Sequence, residues 1–130
     1  MTTAPTRRLV RVRDLIDRDY AKPLDVPTLA RGAYVSTAHF SRAFKRAFGE
    51  TPHRYLVSRR MERAQALLRA GQLSVIEVCH AVGFTSVGSF STQFRRFVGE
   101  SPSRYRERAV PPELERVPSC FVRMWTRPTA

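Results

Sequence analysis

The sequence predicts an all-α fold: two helix-turn-helix units joined by a long linker helix, about seven helices in all. Three observations carry that prediction. The first is an internal repeat. Residues 36–55, STAHFSRAFKRAFGETPHRY, are written again fifty residues later, at 86–105, as SVGSFSTQFRRFVGESPSRY. Phe40, Ser41, Phe44, Arg46, Gly49, Glu50, Pro52, Arg54 and Tyr55 recur as Phe90, Ser91, Phe94, Arg96, Gly99, Glu100, Pro102, Arg104 and Tyr105. These identities at one offset mark two copies of one supersecondary unit. The second observation is apolar spacing of helical period within each copy. The third is punctuation: Gly49 closes a helix as a left-handed cap, and Thr51-Pro52 opens the next with a cap and a first-turn proline.

Taken in order, residues 1–6 read as a frayed tail. From Arg7 to about Tyr20, a stripe of Val10, Leu15, Ile16 and Tyr20 lies among Arg7, Arg8, Arg11, Arg13 and Arg18, which predicts a support helix. Pro23 ends it. Asp25 then caps a short helix with Pro27 in its first turn, and Val26, Leu29 and Ala30 face inward. Gly32-Ala33-Tyr34-Val35 makes the turn, and Ser36 caps the following helix. There, Phe40, Phe44, Ala47 and Phe48 form the core-facing stripe. Ala38, Ser41, Arg42 and Lys45 face away from it, giving a small, polar and cationic outer side.

Residues 51 to about 70 form the longest helical run, with Tyr55, Leu56, Met61, Ala64, Leu67 and Leu68 as its apolar face and Gly71 as its stop. Ser74 and Glu77 make a capping box, after which Val75, Val78, Cys79 and Val82 repeat the inward pattern of the first short helix. Gly83-Phe84 marks the second turn. Ala30 pairs with Cys79 at an offset of 49 and Phe40 with Phe90 at 50, so the second unit holds one extra residue between its helices. Cys79 stands where its counterpart is an inward alanine, which predicts core packing. The expected layout is a tandem domain over 1–107, with a first unit at about 25–55, a linker helix at about 52–70 and a second unit at about 74–106. Val110-Pro111-Pro112 breaks the last helix, and the tail 108–130 contains the apolar run Cys120-Phe121-Val122 before Met124 and Trp125. That run either folds back onto the domain or presents a contact surface.

Composition narrows the function. The chain has 130 residues, 14.9 kDa, 23 Lys+Arg against 11 Asp+Glu, a net charge of +12 and a pI near 11.3. Such a balance suits a polyanionic partner: DNA, RNA or an anionic membrane. Arg outnumbers Lys 21 to 2, which suits bidentate phosphate and guanine contacts and equally reflects genomic base composition. No apolar run reaches the length of a membrane span and no signal-peptide pattern opens the chain, which predicts a cytoplasmic protein. Cys79 and Cys120 give neither a zinc spacing nor a disulfide framework. His39, His53 and His80 stand apart, and no glycine-rich phosphate loop occurs. No enzyme, metal site or cofactor is therefore expected. One basic amphipathic helix is as readily a solvated surface as a binding face; two in one small basic domain favour nucleic acid. The rival is a protein-interaction module that binds another regulator or polymerase without reading DNA.

These residues resemble the AraC/XylS family of bacterial transcription regulators over about residues 8–107. The stretches that carry the resemblance are LARGAYVSTAHFSRAFKRAFGETPHRYL, RRMERAQALL and VCHAVGFTSVGSFSTQFRRFVGESPSRYR, with Gly83-Phe84 and the Gly-Glu-Ser-Pro-x-x-Tyr ending as the most specific marks. Many members carry a separate effector domain ahead of the DNA-binding one. A chain starting at Met1 leaves no room for it, so the sequence is similar to the stand-alone MarA/SoxS type. The resemblance implies a monomer on double-stranded DNA that contacts RNA polymerase as an activator, with no small-molecule effector. It places base contacts at Ala38, Ser41 and Arg42 in the first unit and at Val87, Gly88, Ser89 and Thr92 in the second. Phosphate contacts fall at Ser36, His39, Lys45, Arg46, Ser86, Arg95 and Arg96. Arg42 is the best base reader, since a guanidinium bonds guanine O6 and N7 together. The sequence departs from the family at Thr92, where an arginine is frequent. The second unit is thus expected to read bases weakly, with shape or thymine methyls as its source of specificity. A linker of about 18 residues spans roughly 27 Å, whereas successive major grooves lie about 34 Å apart. Seating both helices then requires bent DNA, or one helix is only partly engaged.

Overall fold

The computed structural model describes residues 7–109; the expected frayed start and the tail from residue 110 onward, with Cys120-Phe121-Val122, lie outside the described residues. Among the described residues all regular structure is helical: α1 Arg7–Asp19, α2 Val26–Gly32, α3 Thr37–Phe48, α4 Pro52–Ala70, α5 Val75–Ala81, α6 Val87–Val98 and α7 Pro102–Ala109. The helices begin where capping chemistry allows. Asp25 accepts the Thr28 amide at 2.8 Å, and Ser36 and Ser86 accept the amides of His39 and Ser89 at 3.1 and 3.2 Å. Ser74 and Glu77 satisfy each other's backbone amides in a full capping box. Thr51 and Ser101 receive the amides of Arg54 and Arg104, each at 3.2 Å, just ahead of Pro52 and Pro102. Gly49 and Gly99 end α3 and α6 in the left-handed conformation, at φ 86° and 95°.

The chain divides between Arg60 and Met61 into two compact units, with α4 running through the division. In the first unit Leu9, Val12, Ile16, Leu29, Ala30, Ala33, Phe40, Phe44 and Leu56 form the core. Edge-on aromatic packing links Phe44 to Phe48 and to Tyr55, with ring centroids 4.7 and 5.6 Å apart. The stripe expected on α1 is rotated. Leu9, Val12 and Ile16 are buried, Leu15 and Tyr20 flank them, and Val10 is only half-buried. Apolar residues cover a wide arc of α1, and the helices packed against it select the centre of that arc. Tyr55 donates its hydroxyl hydrogen to Asp17 Oδ1 at 2.6 Å, and Arg60 donates to the carbonyls of Tyr20 and Lys22 at 2.6 and 2.9 Å. These bonds fix the loop ahead of α2.

In the second unit Met61, Ala64, Leu68, Val78, Cys79, Val82, Phe90, Phe94 and Tyr105 are buried. Phe94 packs edge-on against Tyr105 at 5.5 Å, the counterpart of Phe44 and Tyr55. Cys79 lies fully buried, and burial pushes its thiol up, as expected of a packing residue. Arg106 donates to Leu73 O and Gly71 O at 2.6 and 3.2 Å, which fixes the loop ahead of α5. On α4, Leu56, Met61, Ala64 and Leu68 are buried as expected, Tyr55 and Leu67 are half-buried, and Val57 joins the buried set. A helix that serves two cores in succession buries more than one straight stripe.

The extra residue of the second unit can be located. Val35 N bonds Ala30 O and Phe84 N bonds Cys79 O, so the register is still 49 at the turn. It is 50 at the caps, Ser36 and Ser86. Thr85 is therefore the insertion. Within the 49 register Tyr34 stands opposite Gly83, and both have positive φ, 61° and 98°. The turn conformation is the same, but only the second unit uses the residue type that adopts it freely.

Candidate nucleic-acid interface

Each unit places a short helix, a tight turn and a second helix in series, and the outer side of the second helix carries the expected contact residues. Burial of Phe40 and Phe44 fixes the roll of α3. Ala38, His39, Arg42, Lys45 and Arg46 are then exposed, while Ser41 is half-buried. Among the described residues the side chains of Arg42, Lys45 and Arg46 have no hydrogen-bond or ion-pair partner. No carboxylate occurs on α3, so its positive charge is uncompensated along the helix. Ser36 uses an oxygen lone pair as the cap and keeps its own hydroxyl hydrogen available to an acceptor. With the amides of the first turn it makes an anion-seeking end.

The same operation on α6 buries Phe90 and Phe94 and exposes Gly88, Ser89, Thr92, Arg95 and Arg96. Val87 lies at the rim of the first turn, 37% exposed. In the 50 register Arg42 corresponds to Thr92, Ala38 to Gly88, Thr37 to Val87, and Lys45 and Arg46 to Arg95 and Arg96. The cations of the last two turns are kept, and the cation at the middle of the outer face is lost. Thr92 also turns inward chemically: its Oγ1 donates to Gly88 O at 3.0 Å. Glu50 and Glu100, which follow the two helices, are engaged by Arg54 at 3.9 Å and Arg108 at 2.6 Å. They leave the cationic faces unneutralised. Sequence reasoning passed over Tyr34, which projects 80% exposed from the first turn with the Arg8 guanidinium 5.3 Å from its ring centre. A tyrosine opposite Gly83 in the repeat was the signal available for it.

A family model described as a helix-turn-helix domain matches residues 29–108, which include both helix-turn-helix pairs. The chain belongs to the AraC family. That family consists of DNA-binding transcription regulators rather than enzymes. The AraC-type fold is matched by the C-terminal domain of AraT, a response regulator from Geobacillus stearothermophilus, with TM-score 0.79, 29% identity, 84% of this chain and 91% of that one. The DNA-binding domain of AdpA, solved in complex with a target DNA, is similar at TM-score 0.75 and 35% identity, over 79% of this chain and 93% of that one. Among curated proteins, the uncharacterized HTH-type transcriptional regulator YijO of Escherichia coli is 37% identical over 73 residues, 56% of this chain and 26% of its own length. CdhR of Pseudomonas aeruginosa, also an HTH-type transcriptional regulator, is 35% identical over 80 residues, 62% of this chain and 24% of its own. The chain thus spans about a quarter of the length of these curated relatives. Among the described residues no helix is long and apolar enough to cross a membrane.

Proposed function

We propose that this AraC-family chain binds an asymmetric promoter site on duplex DNA as a monomer, using α3 and α6 as its two reading helices. The observation that carries this reading is the duplication of one exposed, carboxylate-free helix face within a single chain. Two-fold DNA readers normally obtain their second helix from a second subunit. Here the second helix is covalently present and differs in chemistry from the first, which suits an asymmetric site. Arg42 bonds a guanine edge, with Ala38 and Ser41 beside it; Val87, Gly88, Ser89 and Thr92 form the second reading surface. Ser36, His39, Lys45 and Arg46 hold phosphates in the first unit, and Ser86, Arg95 and Arg96 do so in the second. The reading includes activation through contact with RNA polymerase in the cytoplasm, and control by abundance rather than by a small-molecule effector, as the resemblance to the MarA/SoxS type suggests.

The test is a binding titration on a selected duplex at several salt concentrations, with the mass of the complex measured by sedimentation. The expected result is a steep fall of affinity with salt, as counterions are released, and one chain per duplex. A flat salt response would remove DNA as the partner, and two chains on a short duplex would remove the monomer.

A further inference from the structure

The middle of the outer face of α6 is uncharged, and the reason it is uncharged predicts what it reads. Gly88 and Thr92 lie one turn apart, about 40° from each other around the helix, where the first unit has Ala38 and Arg42. The Thr92 hydroxyl hydrogen is held by Gly88 O at 3.0 Å, inside the helix, so Thr92 offers no donor to a base edge. Gly88 is bare: a Cβ built there would meet only Ser86 Oγ, at 3.7 Å. Val87 adds a partly exposed isopropyl group at the rim. The surface is therefore a shallow apolar step made of one bare backbone turn, the threonine methyl and the valine, with Arg95 and Arg96 one turn further on.

On the major-groove edge of the base pairs, the four bases offer donors and acceptors and a single apolar group, the thymine C5 methyl. Ser89 keeps a free hydroxyl beside this step. The step itself, formed by Val87, Gly88 and Thr92, has no free donor and no bulky side chain, so it can approach a base edge closely and discriminates by that methyl. We infer that α6 reads the C5 methyl groups of thymine through Val87, Gly88 and Thr92, while α3 reads guanine through Arg42. The inference rests on the DNA-binding reading above and specifies the chemistry of its second half.

The experiment starts from a site selected with the full chain. Arg42→Ala identifies the half read by α3, because preference relaxes there; the other half belongs to α6. Each thymine of that other half is then replaced by deoxyuridine, which removes the methyl and leaves the pairing edge intact. A thymine read by α6 is expected to lose about fourfold in affinity on this change, the factor for one buried methyl group. The response to Thr92 variants is expected to be confined to that half, a thymine beside Ala38 in the other half responding alike in the parent and in the variants. Two variants separate methyl from hydroxyl. Thr92→Ser removes the methyl and keeps the hydroxyl, and is expected to bring the thymine-to-uracil ratio towards one. Thr92→Val exchanges the hydroxyl for a second methyl and is expected to widen that ratio. The inference is overturned if deoxyuridine throughout the α6 half leaves affinity unchanged, or if Thr92→Val abolishes the preference and Thr92→Ser retains it. With Arg42→Ala still relaxing the first half, either result leaves the DNA-binding reading standing. Absence of any selected duplex would overturn both.

Discussion

The two units share a framework and differ on the side turned away from it. Phe40, Phe44 and Tyr55 are matched by Phe90, Phe94 and Tyr105, with edge-on ring contacts of 5.6 and 5.5 Å at equivalent places. Even the loop ahead of the short helix is fixed alike, by Arg60 on Tyr20 O and Lys22 O and by Arg106 on Gly71 O and Leu73 O. These two arginines do not correspond in the repeat, so the same requirement, satisfaction of loop carbonyls, is met from two different positions. The repeated tyrosine is used with opposite polarity: Tyr55 donates to a carboxylate of α1, whereas the Tyr105 oxygen accepts from Arg69. On the outer faces the resemblance stops, with Arg42 against Thr92 and Tyr34 against Gly83. Packing and backbone satisfaction fix the inner residues; the outer ones answer only to what the helix meets.

The largest effects should come from the shared framework. Phe44→Ala and Phe94→Ala each remove a fully buried ring and are expected to cost about 3–5 kcal/mol by denaturant unfolding. A loss confined to one of the two would show that the frameworks are not energetically equivalent.

Next comes binding. Arg42→Ala is expected to cost about 1–3 kcal/mol and to relax preference at one base pair, whereas Thr92→Ala should cost less. Affinities of both variants on selected and scrambled duplexes measure the contrast, and a reversed order would make α6 the principal reader. Arg96→Ala should instead weaken all sequences alike and lower the salt slope by about one.

The turns give a smaller contrast. Gly83→Ala forces an L-residue to φ 98° and is expected to cost about 1–2 kcal/mol. Tyr34→Gly relieves a strained residue but gives up the Arg8 contact and adds chain entropy, so its net change should stay below about 1 kcal/mol. Thermal unfolding of the two variants compares them directly.

The smallest effect at neutral pH separates the tyrosines. Burial, and then the hydrogen bond to Asp17, push the Tyr55 phenol from 10.0 up to about 12. Its folded value lies above its unfolded one, so its stabilisation is complete below about pH 10 and is lost as pH rises through about 12. Unfolding curves of the parent and of Tyr55→Phe should therefore converge over that interval. A gap that persists at high pH would show that the proton on Tyr55 does not matter.

Much of this molecule is legible in its sequence. Helix starts at Asp25, Ser36, Ser74 and Ser86, stops at Gly49, Gly71 and Gly99, and the buried Phe40, Phe44, Phe90 and Phe94 all follow from relations within about four residues. The uncharged middle of α6 was legible too, from Thr92 alone. What the sequence left open depends on partners far along the chain or on choices between equal local options. Val10 and Leu9 fit a helical stripe on α1 equally well, and only the packing of α2, α3 and α4 chose Leu9. Tyr55 meets Asp17 across 38 residues and Arg60 meets Tyr20 across 40, pairings that no periodicity encodes. In sequence the Thr92 hydroxyl has a base edge and its own helix as equal options, and only the closed turn commits Tyr34 to the left-handed conformation. Short-range periodicity and capping determine where helices run; long-range packing and hydrogen-bond satisfaction decide which way their side chains are committed.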